Sequence, residues 1–194
     1  MPNVVDGGRE APGWFAAAFG REAPVLLELG CGHGDYLLER ARREPRRPFL
    51  GVERNGARLW KGARQALDEG LRNVVFLRST VEGLDEHLPP GRTAEIWILF
   101  PDPLPKRHQS KHRLVSPGFL ECYRRLLAPG GTVRLRTESE TLTTFAEGAV
   151  RAAGGRVVAA DTPGQDGEPA AETPYERRYR EEGRPIHERV FRFD

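Results

Sequence analysis

The chain has 194 residues, of which 38% are hydrophobic and 30% charged, and this size and composition predict one globular domain over 1–194. A formal net charge of only +2 does not by itself indicate a nucleic-acid partner, and two cysteines exclude a disulfide framework. The sequence has no zinc-ligand spacing, no apolar membrane span and no secretory signal pattern, so we expect a cytoplasmic protein that binds neither a metal nor a membrane.

Strand and helix patterns alternate from residue 25 onward, after a segment, 1–24, that we expect to be a short N-terminal extension. Apolar runs predict strands at 25–29, 48–52, 74–77, 95–100, 132–136 and 186–193. Helical spacing of apolar residues predicts helices at 36–43, 57–69, 141–153 and 174–182, and one that begins at a Ser116 cap with Pro117 and ends at Gly130. The segment 161–171, rich in Gly, Pro and Asp, is expected to be a mobile loop.

This alternation predicts an α/β fold with a parallel sheet covered by helices on both faces. In such sheets, ligands bind beyond the carboxyl ends of the strands. Polar residues stand near the ends of five successive predicted strands, and we expect them to converge on one crevice: Glu28, Glu53, Thr80, Asp102 and Glu138.

The first predicted strand ends in a glycine loop that is typical of a nucleoside cofactor site. Gly30, Gly32 and Gly34 permit close approach of a ligand to the backbone, and Glu28 stands just before them. Glu53 ends the next predicted strand, where an acid usually binds a pair of ribose hydroxyls. A glycine-rich turn without a ligand is the alternative, but the combination of strand, loop, helix and acid disfavours it.

The residue after this loop distinguishes between cofactors. Asp35 stands where a dinucleotide-binding loop has its third glycine, and its charge would repel a pyrophosphate, which disfavours a dehydrogenase. The carboxylate of Glu28 instead suits a ligand with a cationic end, such as the amino acid part of S-adenosylmethionine.

The segment FPDPLPKRHQSKHR, residues 100–113, places a lone acid beside concentrated positive charge. Asp102 lies between two prolines at a strand end, and six of the eight residues from Lys106 to Arg113 are Lys, Arg or His. A basic run alone is usually a solvated surface. Its position directly after a strand-end acid instead favours chemistry on a polyanion such as RNA, with the cations on phosphates.

These motifs carry a family resemblance. The pattern Glu-x-Gly-x-Gly-x-Gly at 28–34 resembles the cofactor motif of class I S-adenosylmethionine-dependent methyltransferases. Within that superfamily, the segment 100–113 is similar to the bacterial tRNA (guanine-N7)-methyltransferases. A second, distant match is Thr-Pro-Tyr-Glu at 173–176 followed by Gly-x-Pro-Ile at 183–186, which resembles the C-terminal signature of the same family.

The resemblance implies a Rossmann-like doubly wound sheet of about seven strands, mostly parallel with the last antiparallel, and methylation of guanine 46 in the tRNA variable loop. Asp102 would be the catalytic acid. The implied cofactor-binding residues are Glu28, Gly30, Gly32, Gly34, Glu53, Thr80 and Asp102. The implied substrate-binding residues are Lys106, Glu138, Thr173, Tyr175 and Glu176. The implied RNA-binding residues are Lys106, Arg107, His108, Lys111 and Arg113.

The sequence departs from the family pattern at three positions, two of which are among these sites. Leu104 stands where family members usually have tryptophan, and Thr80 and Glu138 each stand where an aspartate is usual. Two alternatives stay open: a methyltransferase for another RNA site or a small molecule, and a non-catalytic RNA-binding domain that keeps the fold. The oligomeric state is expected to be a monomer or a homodimer.

Overall fold

The structure is a computed structural model that describes residues 1–9, 13–20, 24–160 and 172–193. The loop predicted at 161–171 lies outside the described residues. The strands are β1 Val4–Asp6, β2 Val25–Leu29, β3 Phe49–Val52, β4 Val74–Arg78, β5 Thr93–Leu99, β6 Leu127–Thr137, β7 Gly155–Ala160 and β8 His187–Phe193. The helices are α1 Trp14–Phe19, α2 Asp35–Arg43, α3 Gly56–Asp68, α4 Leu84–His87, α5 Pro117–Leu126, α6 Glu140–Ala152 and α7 Pro174–Glu181, with a 3-10 helix at Arg107–His112.

The strands form one sheet in the order β1-β4-β3-β2-β5-β6-β8-β7. The pairs from β1 to β6 are parallel, whereas β8 is antiparallel to both β6 and β7. The predicted doubly wound sheet with an antiparallel last strand is therefore confirmed. The described residues contain eight strands: the six that the apolar runs predict, and β1 and β7 at the two edges of the sheet.

The junction between α5 and β6 differs from the sequence prediction. The helix predicted to reach Gly130 ends at Leu126, and β6 begins at the next residue. Leu127 pairs with Thr93 of β5 before the register shifts, so sheet pairing ends the helix early. The predicted Ser116 cap also differs, because its hydroxyl donates to the Lys111 carbonyl at 3.0 Å instead of capping the helix.

Each face of the sheet packs against its own hydrophobic core. Alternate side chains of β2 point to opposite faces, so Leu27 and Leu29 join the core that includes residues of α5 and α6. Leu26 joins the core that includes residues of α2 and α3. All five residues of β2 are buried, as expected for the central strand of a parallel sheet.

Candidate active site

The carboxyl ends of the central strands meet at one rim of the sheet. β2 pairs in parallel with β3 on one side and β5 on the other, and β5 pairs in parallel with β6. The strand order thus reverses at β2, and ligands of open α/β sheets bind outside such a reversal. The segments that follow these strands carry the glycine loop 30–34, Glu53, Asp102 and Glu138.

The glycine loop and Glu53 are joined by direct hydrogen bonds. The backbone N–H of Gly32 donates to Glu53 Oε2 at 3.1 Å, and that of Asn55 donates to Oε1 at 2.7 Å. Gly30 and Gly32 have φ angles of 69° and 58°, which L side chains rarely adopt. A buried carboxylate is therefore held in place beside an open stretch of backbone, as the sequence predicts for a ribose-binding acid.

Helix α3 approaches the glycine loop closely enough to require another glycine. A Cβ on Gly62 would lie 2.1 Å from the backbone oxygen of His33. Sequence analysis did not identify this residue, because a helix glycine has no local signal for contact with a distant loop. Gly62 thus fixes the distance between the loop and the helix that follows Glu53.

Glu28 is a buried carboxyl group with an unpartnered oxygen. Its side chain is 4% exposed, and Oε2 accepts no hydrogen bond in the structure. Burial, and secondly the negative charge of Asp35, raise the pKa of Glu28 to about 8, although the Leu37 backbone N–H opposes this change. A group without a partner beside an open loop fits a cationic ligand end, so Glu28, Glu53 and the glycines suit the expected S-adenosylmethionine.

The loop that carries Asp102 is strained and anchored on both sides. Phe100 and Leu104 have φ angles of 49° and 44°, and they are the only non-glycine residues with positive φ in the described part of the chain. The Phe100 N–H donates to the Arg136 carbonyl at 2.8 Å. Asp102 is exposed between these anchors. Strain of this kind persists where the surroundings impose it and is common at functional sites.

The second anchor is Arg113, and it corrects one sequence prediction. We predicted that Arg113 contacts RNA, but its side chain is 6% exposed and its guanidinium donates to the Leu104 carbonyl at 3.1 and 3.3 Å. The guanidinium also stacks over the Phe145 ring at 4.3 Å. Arg113 therefore holds the Asp102 loop and is turned away from solvent.

The remaining predicted RNA contacts lie on the surface. Lys106, Arg107, His108 and Lys111 are all exposed and lie on or beside the 3-10 helix that follows the Asp102 loop. The structure thus keeps four of the five predicted RNA-binding residues together and near the candidate catalytic acid.

Helix α7 brings the predicted substrate-binding residues to the same rim. The Thr173 hydroxyl caps the helix by accepting the Glu176 N–H at 3.0 Å. Tyr175 is half-exposed, and the Tyr179 ring lies 5.6 Å from that of Phe100. Glu138, after β6, faces Arg184 at 3.5 Å.

The carboxylate of Glu176 is engaged in a buried ion-pair network. Its oxygens accept from Arg136 at 2.8 Å and from Arg180 at 2.6 Å. Arg136 also donates to Glu188 of β8 at 2.8 and 2.5 Å, and Arg134 pairs with the same carboxylate. Burial alone would lower the pKa of Arg136, but the charges of Glu188 and Glu176 outweigh it and raise that pKa. Glu176 is thus held inside the fold, where it orients α7.

Sequence analysis missed Arg136 and Glu188. The only signal was the alternation of Arg134 and Arg136 with apolar residues in a strand expected to be buried on both faces. Buried cations of this kind require buried acids as partners, but the sequence does not identify those acids.

Within the described part of the chain, the Thr80 side chain makes no hydrogen bond to the carboxylates described above. It is exposed after β4, and its hydroxyl donates to the Glu82 carbonyl at 3.2 Å. In residues 1–9, 13–20, 24–160 and 172–193 there is no cluster of three or more His, Cys, Asp or Glu suited to a metal ion. None of the described helices is long and apolar enough to cross a membrane.

Sequence comparison places this site among known methyltransferases. Residues 22–189 match a family described as "Putative methyltransferase". A tRNA (guanine-N(7)-)-methyltransferase of Christiangramia forsetii is 38% identical over 179 residues, which are 89% of this chain and 80% of the relative. The tRNA (guanine-N(7)-)-methyltransferase of Porphyromonas gingivalis is 42% identical over 137 residues, which are 71% of this chain and 55% of the relative.

Solved structures support the fold. The 16S rRNA methyltransferase KamB superimposes with a TM-score of 0.72 at 18% identity, over 96% of each chain. A structure described as an antibiotic related methyltransferase gives 0.73 at 16% identity, over 94% of each chain. At these identities the likeness concerns the arrangement of the chain and not its substrate.

The raised pKa of Glu28 predicts a pH-dependent effect of Glu28→Gln. Between about pH 4.5, the usual carboxyl pKa, and about pH 8, Glu28 stays protonated in the folded state but is ionised in the unfolded chain. This carboxyl therefore lowers the unfolding free energy progressively as pH rises through that window. The variant should therefore gain on the order of 5 kcal/mol in unfolding free energy over the wild type above about pH 8, relative to the difference below about pH 5. Urea unfolding across this range measures it, and a difference that is constant with pH would contradict the assignment.

The buried network predicts a large effect of Arg136→Ala. Removal of the guanidinium leaves Glu176 and Glu188 buried with too few cations, so the unfolding free energy should fall by about 3–5 kcal/mol. Arg64→Ala is the matched control, because the Arg64–Asp68 pair on α3 is exposed and should contribute less than about 1 kcal/mol. Equal losses in the two variants, measured by denaturant unfolding, would show that the network does not hold the rim together.

Proposed function

The chain belongs to the tRNA (guanine-N7)-methyltransferase family, and from this premise we propose that it transfers a methyl group from S-adenosylmethionine to N7 of guanine in tRNA, at position 46 of the variable loop. The observation that carries the proposal is the anchored Asp102 loop, set at the sheet rim that also holds the glycine loop and Glu53. Both segments follow the carboxyl ends of parallel strands, which supports a shared site for the cofactor and the candidate catalytic acid.

Two acids, together with the glycines of the loop, would hold the cofactor. Glu28 would accept the cationic amino group, which would supply the partner that its buried oxygen lacks. Glu53, already fixed by two backbone N–H groups, would accept hydrogen bonds from the ribose hydroxyls. When bound, the cofactor would supply an electrophilic methyl group: the N7 lone pair would form the new nitrogen–carbon bond, the electrons of the broken carbon–sulfur bond would stay on sulfur, and the positive charge would pass from sulfur to the purine.

Asp102 is proposed to stabilise the charge that grows on guanine. N7 carries no proton, so the reaction needs alignment more than a general base, and alignment alone can supply roughly 7–11 kcal/mol. A fixed carboxylate stabilises the cationic purine more in the transition state than in the ground state. The hydrogen bonds made by the Phe100 N–H and the Leu104 carbonyl limit the motion of this carboxylate. Electrostatic stabilisation of this kind requires such a fixed group.

Access to N7 requires the target base to leave the helical stack. N7 lies on the major-groove edge, and that groove of duplex RNA is too deep and narrow for side chains. We propose that the half-exposed ring of Tyr175 covers an unstacked guanine and that Glu138 accepts hydrogen bonds from the N–H groups of that base. Lys106, Arg107, His108 and Lys111 are proposed to hold the flanking phosphates.

Thr173 and Glu176 are proposed to act through the position of α7. Thr173 caps the helix, and Glu176 binds Arg136 and Arg180, so both would set where Tyr175 stands. A small-molecule substrate is disfavoured because it would not require the exposed cations after Asp102. A monomer or homodimer, and a cytoplasmic location, stay predictions.

The direct test of the proposed function is product analysis. The purified protein is incubated with S-adenosylmethionine and an unmodified tRNA transcript, and the digested RNA is analysed by mass spectrometry. We expect 7-methylguanosine in the fragment that contains position 46. Methylation of a different nucleoside, or none at all by folded and cofactor-binding protein, would overturn the proposal.

The role of Asp102 predicts a selective loss in Asp102→Asn. The variant keeps the size of the side chain but not its charge, so kcat should fall by at least about 100-fold, as for other preorganised electrostatic groups. S-adenosylmethionine binding should survive at least in part, and the unfolding midpoint should stay close to that of the wild type, because Asp102 is exposed and lies outside the buried network. Turnover within about twofold of wild type would exclude this role.

The two classes of basic residue predict different defects. Substitution of Lys106, Arg107 and Lys111 by glutamine should reduce the slope of log Kd for tRNA against log salt by about 2–3, one for each lost phosphate contact. Arg113→Gln should leave that slope unchanged and lower kcat instead, because its guanidinium holds the Leu104 carbonyl. A change in slope for Arg113→Gln equal to that of a surface lysine would contradict the buried anchor.

A further inference from the structure

A second group of cations lies at the other side of the rim, in a cavity of about 360 Å³. Its lining residues are Asp6, Arg9, Arg54, Arg78, Ser79 and Thr80. Three of these six residues are arginines and one is an acid, so the formal charge of the lining is positive. None of the roles proposed above uses the arginines.

The sheet edge delivers these arginines to one place. Arg78 is the last residue of β4, Arg54 follows Glu53 after β3, and Arg9 follows the edge strand β1. β1 pairs in parallel with β4, and the Gly7 N–H donates to the Arg78 carbonyl at 2.9 Å, so the segment with Arg9 starts beside Arg78. Three adjacent strands thus end in one cationic cavity.

The acid in the cavity does not neutralise its cations. Asp6 lies 3.8 Å from Arg78, near the limit of an ion pair, and both side chains are about half-exposed at 43% and 54%. Such an exposed pair contributes little energy and can open for a ligand. Arg9 and Arg54 are also exposed, which leaves their planar guanidinium groups accessible to an anion.

We propose that this cavity binds a backbone phosphate of the RNA substrate, an inference that rests on the proposed function. A guanidinium fork matches the geometry of phosphate oxygens and can donate two parallel hydrogen bonds. Arg54 directly follows Glu53, so the cavity lies beside the proposed cofactor-binding segment. An adenine ring is uncharged and gives no reason for three arginines.

The cavity and the cations at 106–111 then flank the candidate active site from two sides. β5 carries one group and the edge formed by β1, β4 and β3 carries the other, with β2 and its glycine loop between them. A polyanion held at both places is positioned across the site, which orients the substrate without reading its sequence. A chain of net charge +2 can therefore still offer two groups of accessible cations to RNA, the cations at 106–111 and the arginines of the cavity.

The test compares two triple variants of the full chain with equal loss of charge. The test variant carries Arg9→Gln, Arg54→Gln and Arg78→Gln. The control carries Arg64→Gln, Arg124→Gln and Arg151→Gln. These three arginines are exposed and lie in the second halves of α3, α5 and α6, and those halves of the helices run toward the opposite rim. Binding of an unmodified tRNA transcript is measured between about 50 and 200 mM salt.

In the test variant we expect the slope of log Kd for tRNA against log salt to fall by about 2–3 and KM for tRNA to rise at least about tenfold. The kcat at saturating tRNA and the Kd for S-adenosylmethionine should stay within about twofold of the wild type. The control variant should match the wild type. Phosphate ethylation interference should show positions that matter for the wild type and no longer for the test variant. If the triple variant unfolds early, the three single variants replace it, each with an expected slope change of about 1.

An unchanged slope and interference pattern would overturn the proposal. The proposal would also be overturned if inorganic phosphate stabilised the wild type but not the test variant while both bound tRNA with the same salt slope. The cavity would then bind a free anion rather than a phosphate of the RNA. Failure of the proposed function is distinguishable, since it appears as wild-type protein that makes no 7-methylguanosine whatever the slopes are.

Discussion

The rim of this protein depends on one buried cation. Arg136, at the end of β6, is 4% exposed and binds Glu188 of β8 and Glu176 of α7, so it joins the last strand and the last helix to the centre of the sheet. Its own carbonyl accepts the Phe100 N–H, which starts the loop of the candidate catalytic acid. Buried ion pairs gain little net stability over apolar packing, but loss of one partner is strongly unfavourable. The network therefore specifies a geometry more than it adds stability.

Arginines serve two separate purposes here, and burial distinguishes them. Arg113 and Arg136 are buried and hold the two ends of the Asp102 loop, one through a guanidinium and the other through a backbone carbonyl. The cations at 106–111 and those of the cavity formed by Arg9, Arg54 and Arg78 are accessible at the same rim. A rigid acid is thus surrounded by solvated positive charge, which suits an enzyme that holds a polyanion while it acts on one base.

The sequence predicts the local features of this site well and its long-range contacts poorly. The glycine loop and Glu53 are predictable because a strand, a tight turn and a helix carry characteristic residues in fixed order. Arg113 was assigned to RNA wrongly, because a basic run does not reveal which of its members turns inward. The pair of Arg136 and Glu188 joins residues 52 positions apart through an antiparallel register that no local pattern encodes. Short edge strands such as β1, with three residues, likewise carry too few apolar positions to be recognised.

The most direct test of the account is a crystal structure with S-adenosylhomocysteine and a guanine-containing RNA fragment. We expect the amino group of the cofactor product to contact Glu28, its ribose hydroxyls to bind Glu53, and the guanine ring to lie beside Asp102 with N7 directed toward the sulfur. A guanine bound away from Asp102, or a cofactor that leaves the buried oxygen of Glu28 without a partner, would contradict it.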